Sequence, residues 1–571
     1  MEQTGHGPMN GHEEESKRDE AGESASRVID WGVAAPALIL VLAIAVWAIA
    51  VPEGFGRASS AAFTWLVDTL GWAFIIAAVV FFVAMIALAF SSLGHIRLGR
   101  DGEQPEFSTT GWIAMMFAAG MGIGLLFYGG YEPLYHYRNG VPGHAAGSAE
   151  DAFAHTLLHW GPIAWATYAV VGAAIAYSTF RMGRPQLISA ACTPLIGDRR
   201  ARGWLGKLID VLAIFATVFG TAMSLGLGAS QIAEGFRATG MIADPGLGVM
   251  LVVIGVLAIG YLASAMSGVA RGVQIMSKFN MWMAAAIAVF VLVAGPTVAQ
   301  LDTIPMALGS YLDQLFEMTA RSAASADGTA GDWLGAWTIF YWVWWVSWTP
   351  FVGMFLARIS RGRTIREFVV GIVVVPSTLT LLWFSIFGGT AIEFEQTGRS
   401  IWGDGTAEAM LFAMFGELPW TGVVSVFAMV LLATFFITTA DSASTVMGTM
   451  SQRGRVNPTP WVTGVWGLMT TIIAVAMLLS GGTDILSSLQ TIIIVAGSPF
   501  LLVVIALLVS LIRGVADDPS RLDEKAARTV HLRMLREQRA REKAEQKARK
   551  RADKETRRRG RKQSPGEAVS R

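Results

Sequence analysis

Between Trp333 and Leu356 the chain carries no charge, and within that run it reads Tyr341-Trp342-Val343-Trp344-Trp345-Val346-Ser347-Trp348. Four tryptophans in seven residues lie about halfway along an apolar segment long enough to span a bilayer. At 3.6 residues per turn Trp344 and Trp348 share a helix face, and Trp345 lies beside Trp348. Membrane indoles usually sit at the headgroups, where the ring is buried and the N–H stays wet. At mid-depth their electron-rich faces suit a cation with no N–H to donate, such as a quaternary ammonium. Ordinary aromatic packing accounts for any one of these residues; four together favour the cation site.

Three other clusters could do chemistry. The run Ala118-Ala119-Gly120-Met121-Gly122-Ile123-Gly124 puts three glycines in five positions of an apolar span, each costing a helix about 1 kcal/mol relative to alanine. A close helix crossing would use Gly120 and Gly124 as a small-xxx-small pair but leaves Gly122 unexplained. A break in the helix accounts for all three: it frees N–H groups for a substrate carboxylate and carbonyls for a cation such as sodium. We favour the break. Thr438, Thr439 and Asp441 lie in an otherwise apolar run, and Thr217 and Thr221 are spaced i, i+4 with Ser224 beyond. Their hydroxyls suit sodium, or bond back to their own helix carbonyls, which is the more usual fate of an isolated threonine. Glu132 and Asp441 are the acidic residues most expected to matter, each also readable as a cap or a structural hydrogen-bond partner. No HExxH, GxSxG or Walker A motif is present, which argues against an enzyme, and nothing points to nucleic acid.

These residues need helices to hold them, and the composition supplies helices of one kind. Of 571 residues 53% are hydrophobic and 15% charged, with mean hydropathy +0.49; soluble domains carry about 25% charged residues, so an all-α polytopic membrane protein is expected. Spanning runs fall near 32–51, 72–92, 111–130, 153–178, 208–236, 246–266, 279–299, 333–356, 367–390, 418–450, 459–480 and 487–513, giving about twelve transmembrane helices. Arg and Lys cluster after even-numbered spans: Arg97 and Arg100; Arg181 to Lys207; Arg271 and Lys278; Arg358 to Arg366; Arg453 and Arg455. The loop 52–71 has only Arg57, and 131–152 only Arg138. The positive-inside rule then places both termini in the cytoplasm of a multi-pass plasma-membrane protein. No cleavable signal precedes the first span, and the lone Cys192 excludes an intrachain disulfide.

The organisation follows: an acidic N-tail (1–30), two accessory helices (31–110), five spans (111–299), an outer linker (300–332) amphipathic near Ile304–Phe316, five more spans (333–515) and a basic C-tail (516–571). Five plus five about a long outer linker is the pattern of an inverted-repeat transporter. The tail, with Arg549-Lys550-Arg551 and Arg557-Arg558-Arg559, is expected to form a charged helix. It reads equally as a solvated appendage or as a segment that docks on anionic membrane lipid.

Three stretches resemble the betaine/choline/carnitine transporters: Trp112–His144 (WIAMMFAAGMGIGLLFYGGYEPLYHYRNGVPGH), Trp342–Phe368 (WVWWVSWTPFVGMFLARISRGRTIREF) and Thr434–Ser451 (TFFITTADSASTVMGTMS). The resemblance covers nearly all of residues 30–515. It implies the LeuT-type 5+5 inverted repeat (spans 3–7 and 8–12) after two N-terminal helices, a homotrimer, and transport of a zwitterionic quaternary ammonium solute. Carried over by position, it implies an aromatic box of Trp160, Tyr168, Trp345 and Trp348, with Trp344 and Trp342 along the pathway. The substrate carboxylate would meet the backbone of Gly120, Met121, Gly122, Ile123 and Gly124, helped by Ser224. One sodium would take the carbonyls of Ala118, Met121 and Phe435 and the hydroxyls of Thr438 and Thr439; a second would involve Thr217, Thr221 and Phe351. Thr439 stands where a betaine carrier of the family has serine, and the hydroxyl survives. Choline carriers have aspartate at the position of Gly124, so glycine here favours a solute that brings its own carboxylate.

The expectation is therefore sodium-coupled, osmotically regulated uptake of glycine betaine or a similar compatible solute, with no cofactor beyond the coupling ion. Carriage of ectoine, proline or carnitine, sodium-independent exchange, and an osmosensor with little transport are the rivals.

Overall fold

The computed structural model describes residues 29–120, 122–267, 270–403, 405–480, 485–520 and 543. They are overwhelmingly helical; among them pairing of β type is confined to two isolated bridges, Arg97 with Thr364 and Val141 with His144. The chain divides into two units, Met1–Arg513 and Gly514–Arg571. The second unit is described only at 514–520 and at Lys543, so the expected charged helix of the basic tail lies outside the described residues.

The longer helices are α1 (Trp31–Ala50), α2 (Pro52–Phe90), α3 (Thr109–Gly120), α4 (Ile123–Asn139), α5 (Ala149–Trp160), α6 (Pro162–Ala176), α7 (Trp204–Ala238), α8 (Leu247–Ser267), α9 (Ala270–Ala294), α10 (Thr297–Ala320), α11 (Phe340–Ile359), α12 (Ile365–Gln396), α13 (Ala407–Gly416), α14 (Thr421–Ser451), α15 (Pro460–Ser480) and α16 (Ile485–Ala516). Their ends follow ordinary capping chemistry. Asp30 accepts the Gly32 N–H at 3.0 Å ahead of α1, and Thr364 and Glu367 form a capping box at α12.

Among the described residues eleven helical segments are long and apolar enough to cross a membrane. The third span is divided, as its three glycines predict: α3 and α4, of 12 and 17 residues, meet at an extended Gly122 (φ −160°, ψ −176°). The fourth is divided too, which the periodicity does not reveal. There α5 ends at Trp160, Gly161 leaves the helix (φ −99°, ψ −147°), and Pro162 starts α6. A Cβ on Gly161 would lie 2.3 Å from the Leu157 carbonyl oxygen, so only glycine fits the bend. The second span is longer than expected, because the region 52–71 is not a loop but the first half of α2. After Pro52 at its first turn nothing breaks the helix, and Phe55, Ser59, Leu66 and Val67 bury one face. Its 39 residues reach about 58 Å, well beyond a bilayer's hydrocarbon. The outer linker is likewise helical over 24 residues as α10, burying Gln300, Thr303, Ala307, Tyr311 and Met318.

The segments containing α5–α6, α7 and α11 are the most deeply buried, whereas α8 and α9 lie at the periphery. α11 packs most broadly on α6. A Cβ on Gly353 would sit 2.8 Å from Val171 Cγ1 and 3.2 Å from the Gly172 nitrogen, so the two backbones approach as closely as small residues permit. This crossing, with α4 against α12 and α7 against α11, sets the tryptophan-rich face of α11 opposite both helix breaks.

Candidate functional site: an aromatic box between two broken helices

Trp160, Tyr168, Trp345 and Trp348 line one small cavity of about 40 Å³, together with Trp344, Trp165 and the backbone of Gly122 and Gly124. That is only a few times the probe-occupied space a single water needs, so the walls stand close around whatever occupies it. Trp344 and Trp345 stack at 5.2 Å with planes 6° apart. Trp160 meets Trp345 edge-on at 5.0 Å, and Tyr168 meets it at 6.1 Å. Trp348 stands at 85° to Trp344. The rings thus pack both stacked and edge-on, arrangements in which aromatic quadrupoles attract one another, and a desolvated cation is drawn to a ring face.

The rings are fixed by polar anchors, one of which a helix break supplies. Where α5 stops, its last carbonyls lack intrahelical partners: His159 O accepts Trp345 Nε1–H at 2.8 Å and Trp160 O accepts the Thr380 hydroxyl at 3.1 Å. Trp348 Nε1–H donates to Gly220 O on α7 at 3.0 Å. By contrast the Trp344 N–H is buried without a partner. A buried unpaired donor costs about 1–3 kcal/mol, and a carboxylate in the cavity would relieve that cost.

Behind Trp160 lies a network that sequence reading identified only in part. Glu132 is fully buried. Its Oε2 accepts Trp160 Nε1–H at 2.8 Å and a short hydrogen bond from the Tyr341 hydroxyl. Its Oε1 is 2.7 Å from His159 Nδ1 and 3.6 Å from His136 Nε2. His159 Nε2 in turn lies 3.0 Å from the Thr338 hydroxyl. Glu132 thus positions one wall of the box. Trp165, His136 and His159 were not anticipated. For Trp165 the signal was its i, i+3 spacing to Tyr168, with which it packs at 5.3 Å; for the histidines, Glu132 and His136 at i, i+4.

The remaining expected residues are placed as follows. Trp342 is buried but faces His159 at 6.2 Å and is not part of the cavity wall. Ile123 packs toward Gly228 of α7, and the Ser224 hydroxyl donates to Gly220 O at 3.3 Å. Ala118 and Gly120 belong to the last turn of α3, and Met121 lies outside the described residues. On α14, Phe435 is buried, Thr439 is half-buried, and the Thr438 hydroxyl donates to Thr434 O at 3.0 Å while accepting Asn280 Nδ2–H at 3.1 Å. Thr217 and Thr221 are buried on α7, which packs against α11, where Phe351 meets Trp348 at 5.9 Å. The Thr217 hydroxyl donates to Ala213 O at 2.8 Å. For Thr438 and Thr217, then, bonding back to the helix is what the structure displays, and each oxygen keeps lone-pair capacity for a further partner. Asp441 accepts from the Ser264 hydroxyl at 3.0 Å.

Comparison with known proteins agrees with this architecture. The betaine/carnitine/choline family transporter model matches residues 32–520. The chain is 40% identical over 494 residues to a betaine/ectoine transporter of Corynebacterium glutamicum, covering 86% of this chain and 78% of that one. It is 40% identical over 484 residues to a glycine betaine transporter of Bacillus subtilis (84% and 93%), and 38% over 459 residues to glycine betaine transporter 1 of Vibrio parahaemolyticus (79% and 86%). With a match over most of its length to one family, and an all-helical membrane fold to go with it, the chain belongs to the betaine/carnitine/choline family of transporters.

Proposed function

We propose that the protein carries glycine betaine or a closely related zwitterionic compatible solute into the cell, driven by sodium. The observation that carries this reading is the cavity itself: indole and phenol faces for a quaternary ammonium, beside the Gly122–Gly124 backbone and the unpaired Trp344 N–H for a carboxylate. Relatives that transport betaine support the choice of solute, and the betaine/ectoine carrier makes ectoine the second candidate. Gly124, where a choline carrier would need a countercharge, favours a solute that is neutral overall.

The finer features rest on the resemblance and on charge patterning. The fold is read as the LeuT-type inverted repeat with both termini cytoplasmic. Coupling sodium ions are assigned to Ala118, Met121, Phe435, Thr438 and Thr439, and to Thr217, Thr221 and Phe351. A homotrimer would cover the exposed apolar residues Leu301, Leu308, Leu312 and Phe316 of α10. The basic tail would sense osmotic stress through anionic lipid, because both lipid and loop contacts weaken as internal salt rises.

The test is uptake of labelled betaine into proteoliposomes with an imposed inward sodium gradient, competed by ectoine, proline, carnitine and choline. Accumulation that follows the gradient and is competed best by betaine is expected. No accumulation under any gradient would remove the transport reading and leave the sensor. The same vesicles, carrying protein truncated after residue 520, should keep substrate affinity and lose the response to external osmolality.

A further inference from the structure

Among the described residues, one group of side chains has the composition and spacing of a metal centre. Glu132, His136 and His159 each present a ligand atom, and the three atoms lie within 4.8 Å of one another. All three side chains are buried. Around a tetrahedral zinc ion with bonds of about 2.0–2.2 Å, neighbouring ligand atoms stand about 3.3–3.6 Å apart. From Glu132 Oε1 the 3.6 Å to His136 matches that spacing, and the 2.7 Å to His159 is a hydrogen-bond distance that opens by about 0.6 Å when an ion enters.

Two features distinguish the group from a structural hydrogen-bond cluster. Both ring nitrogens of His136 are buried with no partner, although the imidazole points one of them at Glu132. An unpaired buried imidazole is costly, and a ligand would remove the cost. The other two residues already have the outer partners that orient metal ligands: Thr338 on the far nitrogen of His159, and Trp160 and Tyr341 on the far oxygen of Glu132. Two imidazoles and one carboxylate suit zinc-like ions rather than magnesium or calcium.

We propose that Glu132, His136 and His159 form a binding site for a divalent transition-metal ion, and that the bound ion inhibits transport by immobilising Trp160. Binding through Nδ1 requires His159 to carry its single proton on Nε2, where the Thr338 hydroxyl accepts it. The ion takes Oε1 of Glu132 while Oε2 keeps Trp160, so one wall of the box is fixed to a rigid centre. The inhibitory effect rests on the transport reading above; the binding does not.

The experiment therefore has two readouts. Purified full-length protein is titrated with Co2+ and followed by its visible d–d absorption, and its zinc content is measured after equilibration with Zn2+ and desalting. One metal per chain with a tetrahedral cobalt spectrum is expected, with affinity falling at least about tenfold in His136→Ala. Zinc should lower betaine uptake by the wild type and spare uptake by His136→Ala, each relative to its own zinc-free rate. No stoichiometric metal in the wild type would overturn the proposal and leave a shared proton in the cluster. Undiminished affinity in both His136→Ala and His159→Ala would also overturn it, by placing the metal elsewhere. Metal binding without any effect on uptake would overturn the inhibitory half.

Discussion

Trp160 Nε1 donates a 2.8 Å hydrogen bond to Glu132 Oε2, joining the last residue of α5 to the middle of α4. A buried carboxylate thus holds one face of an aromatic cavity whose rings carry no charge of their own. Removing it in Glu132→Ala leaves the Trp160 and Tyr341 donors unpaired, at about 1–3 kcal/mol each. Betaine affinity of the purified variant, read by intrinsic tryptophan fluorescence, should fall at least about tenfold. Glu132→Gln keeps an acceptor for Trp160 and should fall less. Equal, undiminished affinity in both would show that Trp160 needs no anchor.

Trp345 and Trp348 line the cavity. A desolvated cation–π contact is worth about 2 kcal/mol, so Trp345→Leu or Trp348→Leu should weaken betaine binding some thirty-fold, roughly speaking. Calorimetry on the folded variants checks this, and an unchanged dissociation constant would reduce the cluster to packing.

A Cβ on Gly124 would lie 2.9 Å from Cη2 of both Trp160 and Trp344. Retreat of either ring costs a contact, the Glu132 hydrogen bond for Trp160 and the stack on Trp345 for Trp344. Gly124→Ala alone should therefore impair betaine uptake. Gly124→Asp adds a negative charge to the same clash, and relative to Gly124→Ala it should shift preference toward choline. Parallel uptake of both solutes decides; identical selectivity in the two variants would mean that the charge does not reach the substrate.

The Thr438 hydroxyl spends its proton on α14 and accepts from Asn280, so only its remaining lone-pair capacity could serve an ion. If Thr438 and Thr439 ligate sodium, the double alanine variant should need at least about tenfold more sodium for half-maximal uptake, with Thr438→Ser close to wild type. An unaltered sodium dependence in the folded double variant would move the ion elsewhere.

Glu103, in the segment between α2 and α3, accepts the Arg100 N–H at 2.8 Å and Arg361 Nε–H at 2.7 Å. The Arg100 backbone bond, then Arg361, hold its carboxyl below the ordinary value of 4.5. A depressed carboxylate stabilises the fold above its ordinary value and loses that contribution as pH falls through the lower, folded value. The difference in thermal midpoint between wild type and Glu103→Gln should be small near neutral pH, as for a partly exposed pair, and shrink as pH falls below 4.5. A difference that persists in acid would assign it to packing.

Much of this molecule is decided by chain composition alone. Long uncharged runs must become helices in lipid, because no other open structure satisfies the backbone there. The tryptophans of α11 and the glycines before Gly124 announce themselves by being expensive where they stand. The interruption at Gly122 is legible for the same reason, since three helix-breaking residues in five leave few alternatives. The second break at Gly161 is not legible: a single Gly-Pro pair between two apolar stretches reads as a kink as easily as an end. What makes it an end is the contact the freed carbonyls find, His159 with Trp345 and Trp160 with Thr380, across 186 and 220 residues. The continuation of α2 through 52–71 depends likewise on neighbours that bury Phe55 and Leu66. Glu132 shows the division most clearly. Its sequence position allows a cap, a spare charge or a site residue. Only the approach of α4, α5 and α11 puts Trp160, Tyr341, His136 and His159 around one carboxylate, since a buried charge acquires its role from partners that local sequence does not contain.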